Sequence, residues 1–249
     1  MIITKVKKII REEGIFSLLK KIAGKIIQKV NFVLVPYATG LIKNIRFKNS
    51  EDLLNFSYNR LLGLVTPAQV RDEISELMQI LIEAKPKYML EIGTANGGTL
   101  FLFSRVIAED AKIISVDLPG GKFGGGYSKW KIPFYKSFAL PTQDMHLLRM
   151  DSHDPTTLEQ VKELLNGKKL DFLFIDGDHT YEGVKNDFEM YSQLVRHGGV
   201  IAFHDIAKHP PELNCNVDRY WNEIKKHYKN KELIKDRNQG LWGIGVLYV

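Results

Sequence analysis

The sequence predicts an α/β protein built on a doubly wound, mostly parallel sheet, with an antiparallel hairpin at its C-terminal edge and a helical appendage at its N-terminus. Three observations carry this. From Tyr88 onward short apolar runs alternate with stretches of helical periodicity, acidic residues follow the apolar runs, and two further strand-like runs close the chain.

Taken in order, residues 2–30 place Ile2, Ile3, Val6, Ile9, Ile10, Ile15, Leu18, Leu19, Ile22, Ile26 and Val30 at helical spacing interrupted at Gly14, with Lys and Arg on the other face. Such a basic amphipathic helix suits two uses. It packs on the main domain or a second subunit, giving a homodimer, or it lies on an anionic membrane surface through residues 1–35. Residues 50–85 predict one or two helices, with Thr66-Pro67 as a start and Val70, Ile74, Leu77, Met78 and Leu81 as a buried face.

Strands are then expected over 88–92, 112–117, 145–151, 170–176 and 200–204. Helices are expected over 99–108, 154–165 and 181–196, the last ended by Gly198-Gly199. Runs 232–235 and 242–249 form the edge hairpin. With no repeat and no Ser- or Pro-rich linker, the division expected is a basic helical segment over 1–65 and a sheet domain over 66–249.

Residues 1–48 hold 11 Lys and Arg against 2 Asp and Glu, whereas the remainder holds 24 against 27. A slightly acidic main domain argues against a nucleic-acid partner, since phosphates need a cationic face. The single cysteine, Cys215, excludes an intrachain disulfide and points to a reducing compartment, so a cytoplasmic location is expected, peripheral at the inner membrane face if the basic helix binds lipid. Lys5, Lys7, Lys8 and Arg11 interrupt the first apolar run, so no secretory leader is expected there. The uncharged run 30–42 is 13 residues long and contains Pro36, too short to span a bilayer.

In a doubly wound sheet ligands bind beyond the carboxyl ends of the strands. The first of these ends reads Glu91-Ile92-Gly93-Thr94-Ala95-Asn96-Gly97-Gly98-Thr99, a tight strand-to-helix turn that lacks the full dinucleotide glycine pattern. A carboxylate from Glu91 at the mouth of this loop would repel a pyrophosphate and suit an ammonium or sulfonium group, favouring S-adenosylmethionine over NAD. Asp117 lies 24 residues after Gly93, near the spacing for hydrogen bonds to a ribose diol. The alternative for each acid, less favoured than the ligand-binding one, is a helix cap or a solvated strand end.

The fourth and fifth strands end in Asp176-Gly177-Asp178-His179 and His204-Asp205. Asp176, His204 and Asp205 form a ligand set for a divalent cation, provided the strand has broken before Asp205, because consecutive strand residues face opposite ways. His179, with an ordinary pKa of about 6.5, is the candidate general base; its alternative is to cap, with Asp178, the helix near Tyr181. The glycine- and aromatic-rich stretch 118–130 reads as a lid whose rings stack on an acceptor, or as a surface excursion.

These stretches, with Asp151-Ser152-His153-Asp154, the run FIDGDHTYEGVKND over 174–187 and GGVIAFHD over 198–205, resemble the class I S-adenosylmethionine-dependent methyltransferases, in the branch of cephalosporin-hydroxylase-like proteins and metal-dependent sugar O-methyltransferases. The likeness covers about 66–249. It implies a Rossmann-like fold, with Glu91, Gly93, Thr94, Ala95, Gly97, Asp117 and Asp176 around the methionine and ribose of the cofactor and Asp151 and Ser152 near the adenine. It further implies Asp176 and Asp205 as metal ligands for magnesium or manganese, His179 as the base, and a hydroxyl of a sugar, glycan or similar small molecule as acceptor. His204 stands where relatives often have a carboxylate, and a nitrogen there shifts preference toward manganese, iron or zinc. Other classes remain open: a cofactor-binding protein without turnover, a metal-dependent hydrolase and a nicotinamide oxidoreductase.

Overall fold

The computed structural model describes residues 33–121 and 126–249; the basic helix expected over 2–30 lies outside them. Helix α1 covers residues 33–44, followed by α2 (Ser50–Asn59) and α3 (Arg71–Ala84). The alternating region then gives β1 (Tyr88–Ile92), α4 (Gly98–Val106), β2 (Lys112–Val116), α5 (Ile132–Lys136), β3 (Asp144–Leu148) and α6 (Pro155–Leu165). It continues through β4 (Leu170–Ile175), α7 (Tyr181–Tyr191), β5 (Val195–His204), α8 (Val217–Ile224), β6 (Lys229–Leu233) and β7 (Ile244–Tyr248).

The seven strands order as β3-β2-β1-β4-β5-β7-β6. β1 to β5 run parallel, β7 lies antiparallel between β5 and β6, and the register pairs Ile92 with Ile175, Ile175 with Phe203 and His204 with Ile244. The mixed, doubly wound sheet is thus the one the apolar alternation predicts.

Period-two alternation along the strands separates two apolar layers. Met89, Ile113, Phe172, Phe174 and Ala202 face α1 to α5, where Ile42, Leu54, Leu77, Phe101 and Phe103 meet them. Leu90, Ile92, Ile114, Leu173, Ile175 and Phe203 face α6 to α8, against Val161, Val184, Phe188 and Trp221. Val35, Ala38 and Leu53 from the segment before residue 65 belong to the first layer.

Some boundaries differ from expectation. α3 starts at Arg71 rather than at Thr66-Pro67; the Thr66 hydroxyl donates to Ser57 O, 2.9 Å away, in the turn that joins α2 to α3. α7 stops at Tyr191, and the chain is already in β5 by Val195, so Gly198-Gly199 lies inside a strand instead of ending a helix. A register shift between Leu170 and Phe172 takes up those residues, a bulge that helical periodicity does not reveal. Ten residues, 234–243, separate β6 from β7, so the edge pair is joined by a long connection rather than a tight turn. Among the described residues no helix is long and apolar enough to cross a membrane.

Candidate active site

The carboxyl ends of β1 to β4 surround a cavity of about 370 Å³. Its walls are Gly93 and Ala95 after β1, Asp117 and Leu118 after β2, Asp151, Ser152 and His153 after β3, and Asp176 to Asp178 after β4. Gly93 has a φ of 92°, and a Cβ there would sit 1.9 Å from the Asp176 carbonyl oxygen. Only glycine allows the two strand ends to meet this closely. Asp117 Oδ2 accepts from Ala95 N at 2.9 Å, which ties the β1 loop to the end of β2. Burial pushes the Asp117 carboxyl up to about 6 although backbone N–H groups at Ala95 and Thr94 oppose the rise.

Glu91 departs from the expected position at the loop mouth. Strand alternation sends Ile92 to the cavity and Glu91 to the opposite face, where it is wholly buried and accepts from Thr99 Oγ1 at 2.7 Å and from Ser115 Oγ at 3.4 Å. Burial raises its pKa to about 8, and the Thr99 hydrogen bond only partly offsets this. Thr94 is buried with its hydroxyl paired to Ser115, and Gly97 closes the turn before α4 by donating to Thr94 O at 2.7 Å. Glu91, Thr94 and Gly97 therefore brace the loop from beneath rather than line the cavity.

The second cluster adjoins the first through Asp176. β5 ends at His204, and Asp205 has a φ of 62°, so the backbone leaves extended geometry where two consecutive side chains need to converge. They do converge: His204 Nδ1 is 3.0 Å from Asp176 Oδ1 and 3.4 Å from Asp205 Oδ1. His179 bridges the carboxylates, donating from Nδ1 to Asp205 Oδ2 at 3.0 Å with Nε2 3.5 Å from Asp176 Oδ1. One potential ligand atom from each of Asp176, His204 and Asp205 lies within 4.8 Å of the others. His204 Nε2 is buried without a hydrogen-bond partner.

The electrostatics correct the expected near-neutral pKa of His179. Burial disfavours its charge, but hydrogen bonds to Asp176 and Asp205 outweigh this and raise the imidazole to about 12. A ring held between two carboxylates keeps its proton; it accepts one only when those carboxylates are otherwise engaged. Burial likewise opposes, and the same imidazoles overcome it, in holding Asp176 and Asp205 below the usual carboxylate range. Thr180 caps α7 by accepting from Gly183 N, which leaves His179 outside the cap, while Asp178 Oδ1 accepts from Thr180 N at 2.8 Å.

Several contributors were not visible in the sequence. Gln69 Nε2 donates to Asp176 Oδ2 at 2.9 Å from the turn before α3. His209 Nε2 lies 3.2 Å from Asp205 Oδ1, and Cys215 approaches His179 and Asp205. His153 lines the cavity and sets Nε2 3.2 Å from Asp187 Oδ1, whose hold, against burial, raises the imidazole to about 9. The offset of four from Asp205 to His209 was a signal within reach; for Gln69 and Cys215 there was none. In the 118–130 stretch, Leu118, Gly120 and Gly121 line the cavity. Tyr127, by contrast, is buried against Tyr135 at 4.8 Å between ring centroids, so it packs in the core instead of presenting a ring to an acceptor.

Residues 90–206, which hold both clusters, match the family model described as a methyltransferase domain. That match covers 117 residues, just under half of the chain. It is 33% identical over 117 residues to an uncharacterized protein of Acanthamoeba polyphaga mimivirus, covering 47% of this chain and 50% of that one. It is 24% identical over 192 residues to the rhamnosyl O-methyltransferase of Mycobacterium leprae, covering 71% of this chain and 77% of that protein. The chain thus spans about half the length of the first of these relatives. The fold of the chain is similar to that of the O-methyltransferase TomG of Streptomyces achromogenes, solved with S-adenosylmethionine: TM-score 0.53 at 14% identity, covering 87% of this chain and 96% of that one.

Proposed function

We propose that this chain is an S-adenosylmethionine-dependent O-methyltransferase, assisted by a divalent cation, acting on a hydroxyl of a sugar or similar small or glycan acceptor. The observation that carries the reading is the shared carboxylate: Asp176 belongs both to the cavity wall with Gly93, Asp117 and Asp151 and to the cluster with His204 and Asp205. One residue thereby joins a cofactor-sized pocket to a proton-handling site. The sugar preference is supported by the likeness to the rhamnosyl enzyme, at 24% identity.

In this reading the cofactor supplies a sulfonium-borne methyl group to the acceptor oxygen. Gly93 and Ala95 let it approach the backbone, Asp117 accepts from its ribose, and Asp151 and Ser152 border its base. Two carboxylates and an imidazole whose Nδ1 faces both of them fit a divalent cation as a donor set. A cation on Asp176, His204 and Asp205 would hold the acceptor hydroxyl and lower its pKa. Asp205 keeps the His179 ring oriented through Nδ1, leaving Nε2 to take the hydroxyl proton.

The test is calorimetric titration of the full chain with S-adenosylmethionine and, separately, NADH, each with magnesium, manganese or a chelator, followed by transfer of labelled methyl to free and lipid-linked sugars. Donor binding without NADH binding, and turnover that stops on chelation, is the expected result. Failure of the donor to bind under every metal condition would overturn the reading.

A further inference from the structure

We propose that the groove between α1 and the turn after α2 is the face by which this chain docks on an anionic lipid surface. The proposal is independent of the methyltransferase reading. It rests on an apolar surface left partly exposed among the described residues, on a strained turn that displays part of it, and on the charge around it.

α1 carries two apolar stripes. Val35, Ala38 and Ile42 enter the core. Leu34, Tyr37, Leu41 and Ile45, at spacings of three and four, line a separate groove of about 510 Å³ whose far wall is Leu61 and Leu62. A helix apolar on both sides is normally covered on both. Here Tyr37 is 68% exposed and Leu62 77%, so the apolar rim of the groove faces outward on both walls.

The far wall is held in an unfavourable shape. Leu61 and Leu62 have φ of 54° and 49°, two successive leucines in the left-handed region that branched side chains rarely adopt. Strain of this kind persists only where surrounding structure imposes it, and its effect here is to present Leu62 beside Tyr37.

The charge decides the occupant. Residues 14–50 contain seven Lys and Arg and no Asp or Glu. Lys43, Arg46 and Lys48 are exposed on and just after α1, and Arg60 lines the groove itself. The thirty-two residues preceding α1 continue the same basic, amphipathic pattern. Apolar side chains ringed by cations match acyl chains under anionic headgroups, and tyrosine suits that boundary.

The experiment is flotation of the full chain with vesicles of equimolar phosphatidylcholine and phosphatidylglycerol, against vesicles of phosphatidylcholine alone. Two variants separate the contributions: Tyr37→Ser with Leu62→Asn, and Lys43→Gln with Arg46→Gln and Lys48→Gln. The wild type is expected to bind only the anionic vesicles and to be released near 1 M salt, where screening shortens to about 3 Å. The apolar pair is expected to lose about tenfold or more in vesicle affinity, and the charge variant to weaken as well, both with unchanged thermal midpoints. Equal binding to neutral vesicles, or full vesicle affinity in the Tyr37 and Leu62 variant, would overturn the proposal. So would a wild-type dimer that the same variant turns into a monomer, which would assign the groove to a second copy of the chain.

Discussion

At the scale of single residues, the chemistry turns on the proton held by His179. Its two carboxylate neighbours keep the ring charged until a cation engages them and frees Nε2, so in the loaded enzyme its removal should abolish proton acceptance without touching the cavity wall. His179→Asn is expected to lower kcat by about 10²–10⁴-fold while the dissociation constant for S-adenosylmethionine stays within about twofold. Single-turnover kinetics beside calorimetry separates the two, and a weakened cofactor affinity of the same size would make His179 a cofactor residue instead. Glu91 offers a test of a different kind. Its folded pKa of about 8 exceeds the ordinary 4.5, so the folded state binds the extra proton between those values and stability falls as pH rises through that window. Glu91→Gln removes the dependence. Urea midpoints are expected to shift in favour of the variant between about pH 5 and about pH 9, and parallel curves would show that Glu91 is not buried as an acid. The strand-end acids and histidines were legible as candidates because each follows an apolar run. Which of them faces the cavity was not: Glu91 and Ile92 are adjacent in sequence, and only the side of the sheet on which α4 packs decides that Glu91 turns inward.

At the scale of elements, β7 is held closely against α8. Gly245 lies against the ring of Trp221, and a Cβ there would approach it to 2.7 Å. Gly245→Ala is expected to cost about 1–3 kcal/mol by overpacking, read from denaturant unfolding, with cofactor binding retained in the surviving fold. Unchanged stability would mean that α8 slides away from the sheet at little cost. Strands β1, β2 and β4 were legible almost to the residue, since all are buried on both faces and read as unbroken apolar runs. The end of α7 was not. Residues 192–196 keep helical spacing while the chain is passing through a single turn into β5, and the bulge opposite Leu170 that absorbs them is a property of the paired strand.

At the scale of the whole molecule, a ligand that engages β1 to β4 together should stabilise the entire domain. S-adenosylmethionine at about 100 times its dissociation constant is expected to raise Tm by about 5–10 °C, from a linkage of about 2.7 kcal/mol. NADH at the same concentration should leave Tm unchanged; a shift of equal size would revive a nicotinamide enzyme. The strand order also bears on how the molecule is made. β5 delivers His204 and Asp205, yet one of its two edges is covered only by β7, the last of the described strands. During translation that edge, with Ile201 and Phe203 in it, stays open until residues 244–248 have left the ribosome. A nascent chain stalled or clipped short of Ile244 carries β5 as an apolar edge strand with one side unpaired, a ready target for aggregation or chaperone capture.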